Sequence, residues 1–187
     1  AGTQKIFTTG GLQETSQPLD LAINGRGFFQ ITMPDGTISY TRDGTFHMDA
    51  EGQVVNASGF LLEPNITIPD QTNTLTISRD GIASVTLFGD TEPTEIGQID
   101  VVDFINPAGL QAIGSNLYLE TASSGAPQVG VASEGGYGAL EQGFLENSNV
   151  EVVEEMVQMI TVQRAYEMNS KVVSSADQML QYLAQNT

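Results

Sequence analysis

Residues 148–187 read SNVEVVEEMVQMITVQRAYEMNSKVVSSADQMLQYLAQNT, and the reading of this stretch decides the fold. Asn147, Ser148 and Asn149 have short polar side chains that accept from the free amides of a first helical turn. Glu151, Glu154 and Glu155 follow where the positive end of the helix dipole favours acids. No proline or glycine interrupts the remainder. Val153, Val157, Ile160, Met168, Val172, Met179 and Leu183 recur at helical spacing as one face, flanked by Met156, Ala165, Ala176 and Leu180. Arg164 and Ser175 fall on this face, and it keeps no strict heptad. The spacing predicts one helix over 148–187, on the order of 55 Å long at about 1.5 Å per residue. An apolar stripe of that length needs a cover, either from its own domain or from outside the chain. The second is expected, because the rest of the sequence offers almost no other helix.

Upstream, the sequence changes character. Residues 1–21 are rich in Thr, Gln, Gly and Ser and read as an extended lead-in, or neck, with an edge strand around Gly11 to Thr15 and an end at Pro18. Leu21-Ala22-Ile23, then Asn24-Gly25-Arg26-Gly27, then Phe28 to Ile31 reads as strand, tight turn, strand. Asp35-Gly36, Asp43-Gly44, Glu51-Gly52 and Ser58-Gly59 then alternate with short runs such as Thr37 to Arg42, the pattern of an antiparallel meander. The style returns at Thr74 to Ser78, Asp80-Gly81, Ala83 to Phe88 and Ile99 to Ile105. Residues 22–121 are therefore expected to form one all-β domain, sandwich-like or barrel-like, built of short hairpins. Residues 122–147 follow as a linker: a Gly, Ser and Ala loop over Ser123 to Gly138, and a returning neck strand over Leu140 to Leu145. The lead-in near Leu12 and the returning strand are expected to pair, since both attach the β domain to what lies beyond it. The fold class is thus mainly β with one long C-terminal assembly helix.

Composition narrows the function classes. Six basic against 23 acidic residues give a net charge of −17, which disfavours nucleic acid and anionic lipid as partners. The absence of cysteine excludes disulfides, thiolate metal sites and cysteine nucleophiles. No run of roughly 18 apolar residues is present to span a bilayer. The chain starts Ala1-Gly2-Thr3 without a methionine, which reads as a processed chain or a fragment.

Catalytic chemistry finds little footing. The single histidine, His47, lies between Phe46 and Met48 on an expected strand, with no second His or Cys to complete a zinc set, and reads as an outward-facing strand residue. Gly25-Arg26-Gly27 and Gly135-Gly136-Tyr137-Gly138 lack the strand–helix setting of a phosphate loop. Asp35, Asp43 and Asp80 are explained as turn residues. Carboxylates leave a glycosidase-like pair formally open, but no tryptophan is present to stack on sugar rings. No catalytic residue, metal site, cofactor or small-molecule substrate is expected.

Gly25-Arg26-Gly27-Phe28-Phe29, Tyr40-Thr41-Arg42-Asp43-Gly44-Thr45-Phe46, Gly52-Gln53-Val54 and Gly59, then Gly143 to Val150 and Gln163-Arg164-Ala165-Tyr166-Glu167, occur here in that order. With them the chain resembles the bacterial flagellar rod and hook family over nearly its whole length. Ile113 to Tyr118 and Ser124-Gly125-Ala126-Pro127 look most like the distal-rod branch. The resemblance implies a non-enzymatic axial subunit that leaves the cytoplasm through the flagellar export apparatus. It would polymerise helically with itself, other rod subunits and the hook protein into the periplasmic driveshaft of the basal body, inside the surrounding P and L rings. In that family a helix from the N-terminal segment packs with the C-terminal helix to form the inner tube, and this sequence lacks that segment. By position, Val153, Val157, Ile160, Met168, Val172, Met179 and Leu183 would bury against that helix or neighbouring subunits. Gln163, Arg164, Tyr166 and Asn169 would make polar contacts that fix subunit register. The alternative is a secreted carbohydrate-binding or adhesive β domain on a helical stalk.

Overall fold

The computed structural model describes residues 9–89, 92–149 and 152–185, with helix side chains described for 156–174. Contacts divide the chain into two units that meet in sequence at Asn149 and Val150, and each is described by itself. The first unit is all β. Its strands are β1 (Leu12–Glu14), β2 (Leu21–Asn24), β3 (Phe29–Thr32), β4 (Ile38–Thr41), β5 (Phe46–Met48), β6 (Val54–Asn56), β7 (Leu61–Glu63), β8 (Thr72–Ile77), β9 (Ile82–Leu87), β10 (Thr94–Gln98), β11 (Asp100–Asp103), β12 (Gln111–Gly114), β13 (Leu117–Leu119), β14 (Gln128–Val131), β15 (Ala139–Gln142) and β16 (Phe144–Glu146). The second unit is the helix α1 (Val152–Gln185).

All strand pairings are antiparallel. The largest sheet runs β12-β13-β4-β3-β7-β6-β5; β10-β9-β8 form a second, and β11-β14, β15-β2 and β1-β16 are two-stranded. The seven-stranded sheet ends on β12 and β5, so it is open and no barrel closes.

Four hairpins share one turn. In each, the residue before the turn donates its amide to the residue four positions on, and a glycine three positions on donates back. The pairs are Met33 with Thr37 and Gly36, Asp49 with Gln53 and Gly52, Asn56 with Phe60 and Gly59, and Ser78 with Ile82 and Gly81. The glycines have φ between +79° and +90°, the left-handed region that ends a three-residue hairpin loop and that a Cβ disfavours. Side chains lock the turns: Asp49 Oδ1 accepts from the amides of Glu51 and Gln53, and Asn56 Oδ1 from those of Ser58 and Phe60.

Asp43-Gly44 is different. The spacing predicts a hairpin there, but β4 pairs with β3 and β13 whereas β5 pairs with β6, so the chain crosses between separate parts of the sheet. Gly44 is required because the Leu21 amide donates to its carbonyl at 3.0 Å, and a Cβ would lie 1.6 Å from the Leu21 carbonyl oxygen. The stretch Ser123 to Gly138 also departs from expectation. It carries β14, which pairs with β11 through Asp100↔Val131 to Asp103↔Gln128.

The adjacent residues Phe28 and Phe29 point to opposite sides and enter two apolar clusters. Phe29 joins Leu21, Ile23, Ile31, Leu62, Val85, Ile99 and Val101, with its ring edge-to-face on Phe46 at 5.2 Å. Phe28 joins Tyr40, Val102, Phe104 and Leu110, with its ring 5.9 Å from that of Phe104. These two clusters fix the body from which the neck leaves.

Candidate assembly surfaces

The neck forms because the chain returns to where it started. β15 pairs with β2, from Ala139↔Asn24 to Gln142↔Leu21; after Gly143, β16 pairs with β1 through Leu12↔Glu146, Gln13↔Leu145 and Glu14↔Phe144. The expected pairing of lead-in and returning strand is therefore present. Gln142 fastens it to the second sheet: its Oε1 accepts from the Ile77 amide at 3.0 Å, and its Nε2 donates to the carbonyls of Pro18 and Leu75. That side chain occupies hydrogen-bonding positions on β8, the open edge of its sheet.

Arg42, just past the end of β4, reaches the other side of the neck. Nε donates to Glu146 Oε2 at 2.8 Å, Nη1 donates to the carbonyls of Gly25 and Gly27, and Nη2 donates to that of Ile23. Four of the five guanidinium N–H groups thus donate hydrogen bonds, and Nη2 also lies within ion-pair distance of the carboxylate. The other carboxylate oxygen, Glu146 Oε1, accepts from the Gly10 amide at 2.8 Å, and the Asn147 amide donates to the Gly11 carbonyl. The pair is largely shielded from water, with side chains 15% and 9% exposed.

The helix α1 is 34 residues long, about 50 Å at 1.5 Å per residue. Every described side chain from Met156 to Ser174 is exposed. Among the expected assembly residues, Val157 (56%), Ile160 (49%), Met168 and Val172 are exposed apolar groups, and Gln163, Arg164 and Asn169 are exposed polar ones. Val153, Met179 and Leu183 belong to the helix, but their side chains lie outside the described residues.

At about 100° per residue, Val157, Ile160, Met168 and Val172 share one side of the helix. Met159, Val162 (68%), Tyr166 (76%) and Val173 are also exposed, and they fall within an arc of about 60° on roughly the opposite side. The sequence reading missed this second strip. Its signal is the 3-4 spacing of Met159, Val162 and Tyr166, with Val173 one heptad further on.

A chemical centre does not emerge. Among the described residues no group of three or more His, Asp or Glu side chains converges as a metal site. His47 is exposed on β5. A surface cavity of about 620 Å³ lies between β5 and β8, but Phe46 is the single Phe, Tyr or Trp in its lining and is itself buried in the core. Nothing in that lining favours the carbohydrate-binding alternative. The described helix is not long and apolar enough to cross a membrane.

Comparison with known proteins agrees with the architecture. Residues 22–85 match the family described as flagellar hook protein FlgE/F/G D1 domain, and residues 141–186 match the flagellar basal body rod FlgEFG protein C-terminal family. The flagellar basal-body rod protein FlgG of Buchnera aphidicola subsp. Acyrthosiphon pisum is 50% identical over 183 residues, which is 98% of this chain and 70% of that protein. In Caulobacter vibrioides, FlgG is 50% identical over 91% of this chain and 65% of that protein, whereas FlgF is 34% identical over 93% and 67%. The chain belongs to the FlgE/F/G family of bacterial flagellar rod and hook proteins, on its FlgG side.

Proposed function

We propose that this protein is a structural, non-catalytic subunit of the flagellar basal-body rod, and that α1 is its polymerisation element. The single observation that carries the proposal is the exposure of large apolar side chains on two opposite sides of one long helix. One such strip fits a single partner helix, whereas two fit a helix held between neighbours in a tube wall. Val153, Val157, Ile160, Met168, Val172, Met179 and Leu183 bury against one neighbour. Met159, Val162, Tyr166 and Val173 bury against another. Gln163 and Asn169 lie between the strips, Arg164 lies on the first of them, and all three set subunit register by hydrogen bonding.

The chain divides its labour accordingly. The body includes β14 and β15 as well as β2 to β13 before them, and the β1–β16 ribbon is the neck that leads in sequence to the assembly helix. Self-contacts come first, followed by contacts with other rod subunits and the hook protein. The exported chain works in the periplasm, with the P and L rings around it and the export apparatus as its route. The rod relatives and the two apolar strips support this reading. The test is Ile160→Asp in the full-length protein of motile cells: complete basal bodies and swimming are lost while the purified subunit keeps its β-sheet spectrum. A variant that assembles and swims would overturn the proposal.

A further inference from the structure

We propose that the Arg42–Glu146 pair is a positioning joint that fixes the direction in which the β1–β16 ribbon leaves the body. Two short strands joined by three residue pairs are marginal by themselves, so their direction must be set by something else. The guanidinium is anchored on the body side by three carbonyls, those of Ile23, Gly25 and Gly27, which fix its plane. Nε donates to Glu146 Oε2, which also lies 2.8 Å from Nη2, and Glu146 Oε1 accepts from the amide of Gly10 in the chain just before β1. One carboxylate thus ties the body to both chains of the ribbon. A planar fork with five donors is needed for this arrangement; a lysine, with three donors about a single nitrogen, cannot hold three carbonyls and a carboxylate together. The pair is also hidden from solvent, so salt and competing water loosen it little.

The joint predicts a loss of direction separable from a loss of fold. Because the chain contains no cysteine, spin labels can be placed at Gln13→Cys on β1 and Ser58→Cys at a hairpin tip of the body. In the labelled full chain, Glu146→Gln is expected to broaden the label–label distance distribution at least twofold. Hydrogen exchange of the Gly10 and Asn147 amides should rise at least tenfold, with the Phe28 and Val102 amides, which bond each other's carbonyls inside the body, unchanged. Arg42→Lys should broaden the distribution as well, because charge alone does not reproduce the fork. An unchanged distribution in Glu146→Gln overturns the proposal. So does equal acceleration of exchange at all four amides, which would make the pair a general stabiliser; this holds whether or not the protein proves to be a rod subunit.

Discussion

The body and the helix use the same residue types to opposite ends. In the body, Phe29, Ile31, Leu62 and Val101 are fully buried by strands of their own chain. In the helix, Val157, Ile160, Val162 and Val172 expose about half of their surface or more. Burying a side chain of this kind stabilises by roughly 1.5–3 kcal/mol. The eight large apolar side chains of the two helix strips therefore represent on the order of 10 kcal/mol that the single chain does not realise. On the proposed reading, the body is stable alone, whereas the helix keeps its hydrophobic driving force for contacts between molecules. Polar contacts between helices can then select register while apolar burial supplies affinity.

The largest expected effects break this contrast at the helix. Ile160→Asp and Val162→Asp lie on the two different strips, and each should reduce polymer formation at least a hundredfold, scored by sedimentation of assembled protein, with the body's melting temperature unaltered. If only Ile160→Asp acts, the helix uses one face and the two-strip reading fails. Next in size is Phe29→Ala, which removes a buried ring stacked edge-to-face on Phe46. It should cost about 3–5 kcal/mol, lower the body's melting temperature by about 10 °C, and leave the helical signal in place at 20 °C. The contrast sharpens in hydrogen exchange of the unassembled chain. Amides of 156–174, on a helix with uncovered apolar strips, should exchange roughly a hundredfold faster than the mutually bonded Phe28 and Val102 amides. Equal protection of the two sets would mean that the helix gains its stability without a partner.

The parts of this structure legible in the sequence are those that local chemistry decides. Asp35-Gly36, Glu51-Gly52, Ser58-Gly59 and Asp80-Gly81 announce hairpins because only a left-handed glycine ends that turn. Asp43-Gly44 carries the same two letters, but there the glycine makes room for the Leu21 carbonyl, and a packing glycine looks in sequence like a turn glycine. Gly130 misleads in the same way. It suggests a loop, yet it sits in β14, where a methyl group would come within 2.3 Å of the Tyr137 ring. The pairing of β14 with β11 joins residues nearly thirty apart, and no local pattern encodes it. Arg42 is visible in the sequence as part of a motif, but its role depends on three carbonyls and on a glutamate 104 residues away. The second helix strip was open to sequence reading. Asn169 interrupts its heptad and Tyr166 passes for a polar residue, which hid it.

The smallest expected effect concerns pH and belongs to the body alone. The carboxylate of Asp43 sits where the chain crosses between β4 and β5. Burial alone would raise its pKa, but Asn116 Nδ2 donates to Oδ2 at 2.9 Å and the Thr45 amide donates to Oδ1 at 3.1 Å; these bonds prevail and hold it below the ordinary carboxylate value. A carboxyl group with a lower pKa folded than unfolded adds stability that is fully present above about pH 4 and is lost as pH falls through the folded value. Asn116 has φ +59°, so Asn116→Gly keeps the backbone conformation and removes only the donor. In that variant the Asp43 carboxyl carbon should titrate at a higher pH than in the parent, and acid unfolding of the body should begin correspondingly earlier. The helix carries none of the atoms involved, so its spectrum should not follow this titration. If helical signal and Asp43 ionisation moved together in the unassembled chain, the two units would be coupled, and the contrast between a self-sufficient body and a partner-seeking helix would have to be abandoned.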